Sequence, residues 1–447
     1  MIKNILSYII ILVLFVLSKT QAQPAPNFSS LINEEKFIID SIKISGNDKT
    51  EDFIILRELT FKEGDSVSVS QLKYNRDRVF SLNLFTKVEI NRVENDSLNF
   101  VNIDVNESWY IYPIPFINRA DKSTDTYSYG ISFLYKNFRG RNDNIGFVVS
   151  LGYDPFFAVM YDNPAFFYDE ALGFTTGLSS TNANNKNSNA ELLNGENYKN
   201  RFYSGFINLY KRLDQFNLLS LSASFDYVEP KTENYFTGIT ASNSKIDRTF
   251  SFGIGYSYDS RDLKQFAQSG IYAGAVFTHK GFGINGINYN VLGVDYRQHE
   301  KVLGELSTRW RLAFRHASGK LVPLYDFSYL GYDESVRGHS LDKREGNNFV
   351  ISSFEISYPF VKDFDFSIKL PLLPQSLTSA RIGIFITAFT DAGHAFNNNY
   401  HLKIKDFYAG YGAGIAILFL PYNAIRFEYA FGNKGRGEFL IGTGLAF

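Results

Sequence analysis

Phe439-Leu440-Ile441-Gly442-Thr443-Gly444-Leu445-Ala446-Phe447 closes the chain, and its two-residue period decides the fold. Neighbouring side chains of a β-strand point to opposite faces. One face therefore carries Phe439, Ile441, Thr443, Leu445 and Phe447, and the other Leu440, Gly442, Gly444 and Ala446. A strand that is large and apolar outside and small inside suits a closed sheet between lipid and a lumen.

The composition extends this reading to the whole chain. Its 447 residues include 43 Phe, 29 Tyr and 34 Gly but only 2 Met, while the mean hydropathy is negative. Alternation hides lipid-facing residues in this way, whereas a spanning helix needs about 20 consecutive apolar residues. Lys3 followed by the apolar run Ile9 to Leu17 and by Ser18 to Gln23 has the order of a secretory leader, with cleavage expected after Ala22 (1–22). The absence of cysteine excludes disulfide staples and a lipid-bearing cysteine. A net charge of -1 argues against a nucleic-acid partner.

Two regions follow the leader. Residues 35–108 read as a small α+β domain of order βααββ. Phe37 to Ser45 alternates as one strand that ends at Gly46-Asn47. Thr50 is expected to cap a helix through Ile54, Ile55 and Leu59, with Gly64-Asp65 as its stop. Ser70 is expected to open a second helix with Leu72, Val79, Leu82 and Leu84 on one face. Val88 to Val93 and Phe100 to Val105 close the domain as strands around Glu94-Asn95-Asp96-Ser97.

From residue 109 to 447 helical periodicity gives way to alternating segments. Sixteen are predicted, centred near Ile114, Ser132, Val148, Val159, Thr175, Phe206, Leu221, Gly253, Gly274, Gly293, Leu312, Phe354, Ile384, Gly412, Phe427 and Ile441. The fold class is thus mainly β, a 16-stranded antiparallel transmembrane barrel. The 338 residues from Tyr110 to Phe447 give about 21 per strand and connection, which suits strands of about 9–11 residues plus loops. If the first strand rises from the periplasm, the polar stretches Thr181 to Asn200, Glu229 to Asp247 and Ala317 to Asn348 fall outside the cell. Short connections such as Lys211 to Gln215 then face the periplasm, with Pro359 to Ser379 a longer exception.

Four motifs sharpen the picture. Ser335-Val336-Arg337-Gly338-His339 lies in the long sixth external loop. Phe389-Thr390-Asp391-Ala392-Gly393 lies on strand thirteen, and Glu355 on strand twelve. Tyr258-Asp259-Ser260-Arg261-Asp262 marks a periplasmic turn. With a βααββ domain ahead of sixteen strands, these motifs resemble the outer-membrane protein assembly-factor superfamily (BamA/TamA-like, bacterial surface antigen family). The N-terminal domain resembles a single POTRA module. The resemblance implies that the Val-Arg-Gly loop folds into the lumen and that Phe-x-Asp-x-Gly and a lumen-facing acid receive it. His339 stands where the family has Tyr or Phe. It further implies an outer-membrane location with the POTRA domain in the periplasm. The partners it implies are the lipopolysaccharide-containing bilayer, unfolded outer-membrane or exported clients, and periplasmic or lipoprotein factors at the POTRA domain.

The residues carry their own physics. On the residues alone Arg337 reads as part of a solvated surface loop. Inside a lumen, where the resemblance places it, an arginine needs fixed acceptors and its planar fork matches carboxylates, so Arg337 is then expected to lock onto Asp391 and Glu355. Gly338 permits close backbone approach. In Tyr110-Ile111-Tyr112-Pro113-Ile114-Pro115-Phe116 the two prolines remove donors from one edge of strand one. That edge, with Gly442 and Gly444 opposite, is expected to make a weak seam between strands one and sixteen. Phe439, Ile441, Leu445 and Phe447 form the terminal aromatic strand that resembles a barrel sorting signal. The six histidines, His279, His299, His316, His339, His394 and His401, show no zinc spacing, and no GxSxG elbow occurs. No catalytic, cofactor or metal site is expected. His394 beside Asp391 is the best enzyme-like pair. A two-partner-type secretion pore and a passive channel are the rival functions.

Overall fold

The computed structural model describes residues 34–119, 126–331, 334–340, 342–433, 435 and 437–443. The expected leader and Gly444, Leu445 and Phe447 lie outside the described residues.

The N-terminal domain contains β1 (Lys36–Ile38), β2 (Ser41–Ser45), α1 (Asp52–Leu56), β3 (Ser66–Ser68), α2 (Val69–Phe80), β4 (Phe85–Asn95) and β5 (Leu98–Glu107). β2 runs parallel to β5, which pairs antiparallel with β4, while β1 pairs with β3. The single strand expected from Phe37 to Ser45 is therefore two. It breaks because Ile39 bonds the Gly64-Asp65 backbone whereas Asp40 bonds Asn99. Thr50 is no cap: its N–H and hydroxyl both donate to Glu107, and Glu51 takes the cap position without a side-chain bond. α1 ends before Leu59. The second helix begins one residue before Ser70, with the Ser68 hydroxyl accepting from the Gln71 N–H at 3.4 Å. Leu82 and Leu84 lie beyond its end, although Leu84 is fully buried. Asp96 and Ser97, with φ of 49° and 69°, make the tight β4–β5 turn whose twist matches the strands.

The sixteen barrel strands are β6 (Ile111–Arg119), β7 (Tyr127–Tyr135), β8 (Asn144–Gly152), β9 (Phe156–Phe167), β10 (Leu172–Asn184), β11 (Lys199–Arg212), β12 (Asn217–Lys231), β13 (Asp247–Asp259), β14 (Gly270–Lys280), β15 (Tyr289–Leu303), β16 (Leu306–Gly319), β19 (Asn348–Ser367), β20 (Ser379–Phe396), β21 (Tyr408–Leu420), β22 (Asn423–Gly432) and β23 (Gly437–Thr443). Each predicted centre falls inside one of them. They pair antiparallel in chain order, and among the described residues β6 and β23 form the two ends of the sheet without pairing to each other. The intervening β17 (Ser328–Leu330) and β18 (Arg344–Gly346) form a hairpin in the long loop. The stretch expected as a long turn from Pro359 to Ser379 begins as strand: β19 runs to Ser367 and β20 starts at Ser379, which leaves 368–378 as the connection.

The N-terminal domain packs across one mouth of the barrel, here called the near end. Its core is continuous with Phe266, Phe385, Ala416, Leu418 and Ala424 of the barrel. Contacts come from turns all around the ring. Arg141 pairs with Glu51 at 2.6 Å, Tyr168 meets Phe53, Arg212 bonds Glu58 at 2.6 Å, and Ser260 O accepts from Tyr74 Oη at 2.8 Å. Arg76 reaches Asp363 on the opposite side at 3.4 Å. Burial alone would push the Glu58 carboxyl up, but Arg212 and Arg78 outweigh it and hold it at about 2.

Asp262, in the β13–β14 turn, behaves oppositely. Burial first, and the charge of Asp77 second, push its carboxyl up to about 6. A raised carboxyl contributes stability below the unfolded value of about 4 and loses it as pH rises through about 6. Thermal unfolding in detergent should therefore show stability falling across that window, and Asp262→Asn should flatten the profile. An unchanged pH slope in the variant would assign the effect elsewhere.

Candidate functional site in the barrel lumen

The fold brings Val336, Arg337, Gly338, His339, Glu355, Phe389, Asp391 and Gly393 into one cluster. β16, β19, β20 and β22 aim alternate side chains inward, and the loop between β16 and β19 descends onto them. Arg337 is 6% exposed. Its Nε and Nη2 donate to the two oxygens of Asp391 at 2.7 and 2.8 Å, a bidentate fork. Nη1 donates to Glu355 at 3.1 Å and to Glu428 at 2.8 Å, and the backbone N–H adds a 3.1 Å bond to Asp391. The guanidinium carbon lies 3.5 Å from the centre of the Phe389 ring, so Phe389 supplies a cation–π floor.

Charge neutrality makes this burial possible. Glu355 also accepts from Arg309 of β16, and Glu428 from Arg426 of β22 at 3.2 Å. Three guanidiniums thus meet three carboxylates, and each buried charge has a partner of opposite sign. Glu428, Arg309 and Arg426 were missed in the sequence. The inward alternation Ala424, Arg426, Glu428, Ala430 was the available signal, but nothing local linked it to Arg337.

A second clasp was also missed. Glu438 of β23 accepts from the N–H groups of Gly338 (2.6 Å) and Ser340 (3.1 Å) and from the Ser340 hydroxyl (2.7 Å). Gly338 has φ of 91°, and a Cβ there would lie 2.7 Å from the Phe431 carbonyl carbon. Val336 packs with Ala313, Ile351 and Tyr408, above Gly393, where an added Cβ would lie 2.9 Å from its methyl. His339 fills the family's aromatic position by stacking on Tyr408 at 4.6 Å between ring centres. Its Nδ1 lies 2.7 Å from Asp342, and Nε2 is 3.2 Å from the Asn433 N. His394 and Asp391 lie on opposite faces of β20, three residues apart, and do not form a pair. Among the described residues no group of three or more His, Asp or Glu is placed to hold a metal ion.

The free edge can be phased. Ile111 lies opposite Tyr135, and the Lys136 N–H donates to Tyr110 O at 2.8 Å. Hydrogen-bonded pairs alternate with non-bonded ones, so even-numbered residues of β6 bond β7 and odd-numbered ones face the edge. Pro113 and Pro115 are odd, and both missing N–H groups lie on that edge. Across the gap Phe439 and Ile441 point outward, 61% and 66% exposed. Gly442 faces inward, where an added Cβ would lie 2.7 Å from the Arg426 guanidinium. The glycine makes room for that side chain.

A family model of the Omp85 superfamily domain matches residues 137–447, and one of the surface antigen variable number repeat, a POTRA domain, matches 37–108. The chain belongs to the Omp85 superfamily. Omp85-family barrels are outer-membrane proteins whose POTRA domains lie in the periplasm. Among solved structures, BamA from Haemophilus ducreyi lacking POTRA domains 1–3 is 19% identical at a TM-score of 0.50, over 92% of this chain and 84% of that one. CdiB from Acinetobacter baumannii is 14% identical at 0.50, over 91% and 73%. CdiB from Escherichia coli is 12% identical at 0.51, over 94% and 91%. These likenesses establish the shared fold. No curated protein sequence matches the chain.

Proposed function

We propose that this Omp85 barrel resides in the outer membrane, with its POTRA domain in the periplasm, and assists insertion of client β-strands through the edge between β6 and β23. The near end is then periplasmic and the far end extracellular. The observation that carries the reading is the asymmetry of the two walls at that edge. The buried loop ties β16, β19, β20, β22 and β23 into one charge-latched wall. β6, by contrast, presents an edge that lacks two donors, at Pro113 and Pro115. One side of the seam is stiff and the other is under-bonded, which suits a client strand pairing with β6 by β-augmentation. Unfolded outer-membrane or exported chains are the clients, and the POTRA surface is open to periplasmic or lipoprotein partners.

Cysteine pairs scanned along β6 and β23 test this cleanly in a chain without native cysteine. With the oxidised, locked barrel as sole copy, outer-membrane proteomics should show loss of several barrel proteins, reversed by reductant. Loss of a single exported protein would instead identify a secretion pore. An unaltered proteome would refute the gate and leave a passive channel.

A further inference from the structure

β19 and β20 are 20 and 18 residues long, roughly twice the 9–11 that a membrane-crossing strand needs. The excess lies at the near end. Along β19 the outward residues Phe354, Ile356, Tyr358 and Phe360 are all exposed and belong to the barrel's outer belt. The apolar face does not stop there. It continues through Phe364, Phe366, Ile368, Leu370, Leu372 and Leu373, each more than a third exposed, with Leu372 at 103%.

The hairpin has two dissimilar faces. Asp365 bonds Arg381 at 2.6 Å, and the Arg381 guanidinium lies 4.8 Å from the centre of the Phe80 ring of α2. The inner face is thus polar and seated on the POTRA domain. The hairpin also bends. The β19–β20 register shifts twice, between Pro359 and Val361 and between Val361 and Phe364, and Asp363 has φ of 52°. Bulges redirect a strand and increase its twist. Accordingly the return of the hairpin passes beneath β21 and β22. Ser376 O accepts from the Trp109 N–H at 3.2 Å, and Leu377 O from Tyr422 Oη at 3.1 Å. Trp109 lies two residues before β6, so the tip sits at the near end of the free edge.

We propose that residues 360–373 form a membrane foot, an amphipathic hairpin whose outer face is buried in the periplasmic leaflet beneath the β6–β23 edge. The occupant is lipid because the apolar face is continuous with the barrel's own lipid-facing belt. Lys369, exposed between Ile368 and Leu370, can extend its ammonium to headgroup phosphates while its stem stays apolar. A patch of this size on a water-facing surface would be an aggregation liability. The inference rests on the membrane orientation proposed above, and the controls separate the two.

The test uses single cysteines carrying an environment-sensitive fluorophore, in the full chain reconstituted into phosphatidylethanolamine–phosphatidylglycerol vesicles. Leu372→Cys and Leu370→Cys report the foot, Ile356→Cys the belt and Glu233→Cys a far-end loop. The foot labels should match the belt label: blue-shifted, quenched several-fold more by spin-labelled acyl chains than by iodide. Foot labels that match the Glu233 label, while the belt label reports lipid, would overturn the foot alone. A belt label that reports water would overturn the proposed membrane placement of the barrel as well. Leu370→Asp with Leu373→Asp should move the Leu372 label into water without moving the belt label; a label that stays in lipid would also overturn the foot.

Discussion

Arg337→Ala is expected to release the loop from the lumen and to destabilise the folded barrel by about 3–5 kcal/mol, the usual cost of stranding buried charge. The magnitude follows from the ledger of the site. Without Arg337, Asp391, Glu355 and Glu428 keep only Arg309 and Arg426, and Asp391 loses its bidentate partner. Arg337→Lys should recover little, because a single ammonium on a flexible stem cannot span three carboxylates from three strands. Adding Asp391→Asn to Arg337→Ala should recover part of the stability, since it removes the orphaned charge. The measurements are thermal unfolding in detergent and limited proteolysis of residues 331–346. Retention of wild-type loop protection in Arg337→Ala would show that Glu438 and the Val336 contacts alone hold the loop. The latch would then be incidental to its placement.

Arg78→Ala is expected to loosen the POTRA domain from the barrel mouth and raise ion conductance in planar bilayers. Arg78 is 2% exposed and stitches two bodies together. It bonds Glu58 at 3.1 Å within the POTRA domain, and Gln215 O of the barrel at 2.9 Å. It also covers the Phe216 ring at 5.0 Å. Removal leaves Glu58 with Arg212 and Arg57 in a buried setting and leaves the Gln215 carbonyl only a 3.5 Å bond from Arg212. A cost of about 3–5 kcal/mol is again expected, here on docking and on the POTRA core together. Heat-dependent gel mobility separates the effects, because the barrel itself should stay folded while conductance rises. Conductance equal to wild type in a variant with a folded barrel would show that the mouth is held by its apolar contacts, Phe266 and Phe385 among them.

The strand count, the two faces of the last strand and, through the motifs that resemble the family's, Arg337, Asp391 and Glu355 were legible in the sequence. The reason is physical: a strand's two faces are written into alternate residues, so inward and outward positions are local information. The N-terminal domain was read less well at its edges. Thr50 is a good capping residue in isolation, but Glu107, 57 residues away, claims both its donors. Ile39 and Asp40 sit in an alternating run, yet two different sheets compete for their backbone groups.

The sequence by itself therefore determined a sixteen-stranded barrel, a small α+β domain ahead of it, and an arginine loop in need of acids. Tertiary structure alone decided which acids completed the set. Glu428 and Glu438 reach the loop only because β22 and β23 follow β20 and β21 in the sheet, and Arg309 neutralises Glu355 only because β16 pairs with β19. The same holds for the prolines: their residue type was plain, but a single hydrogen bond from Lys136 to Tyr110 fixes which edge lacks the donors. Alternation specifies a face, whereas a partner depends on register and closure, and those are settled by pairing between distant segments.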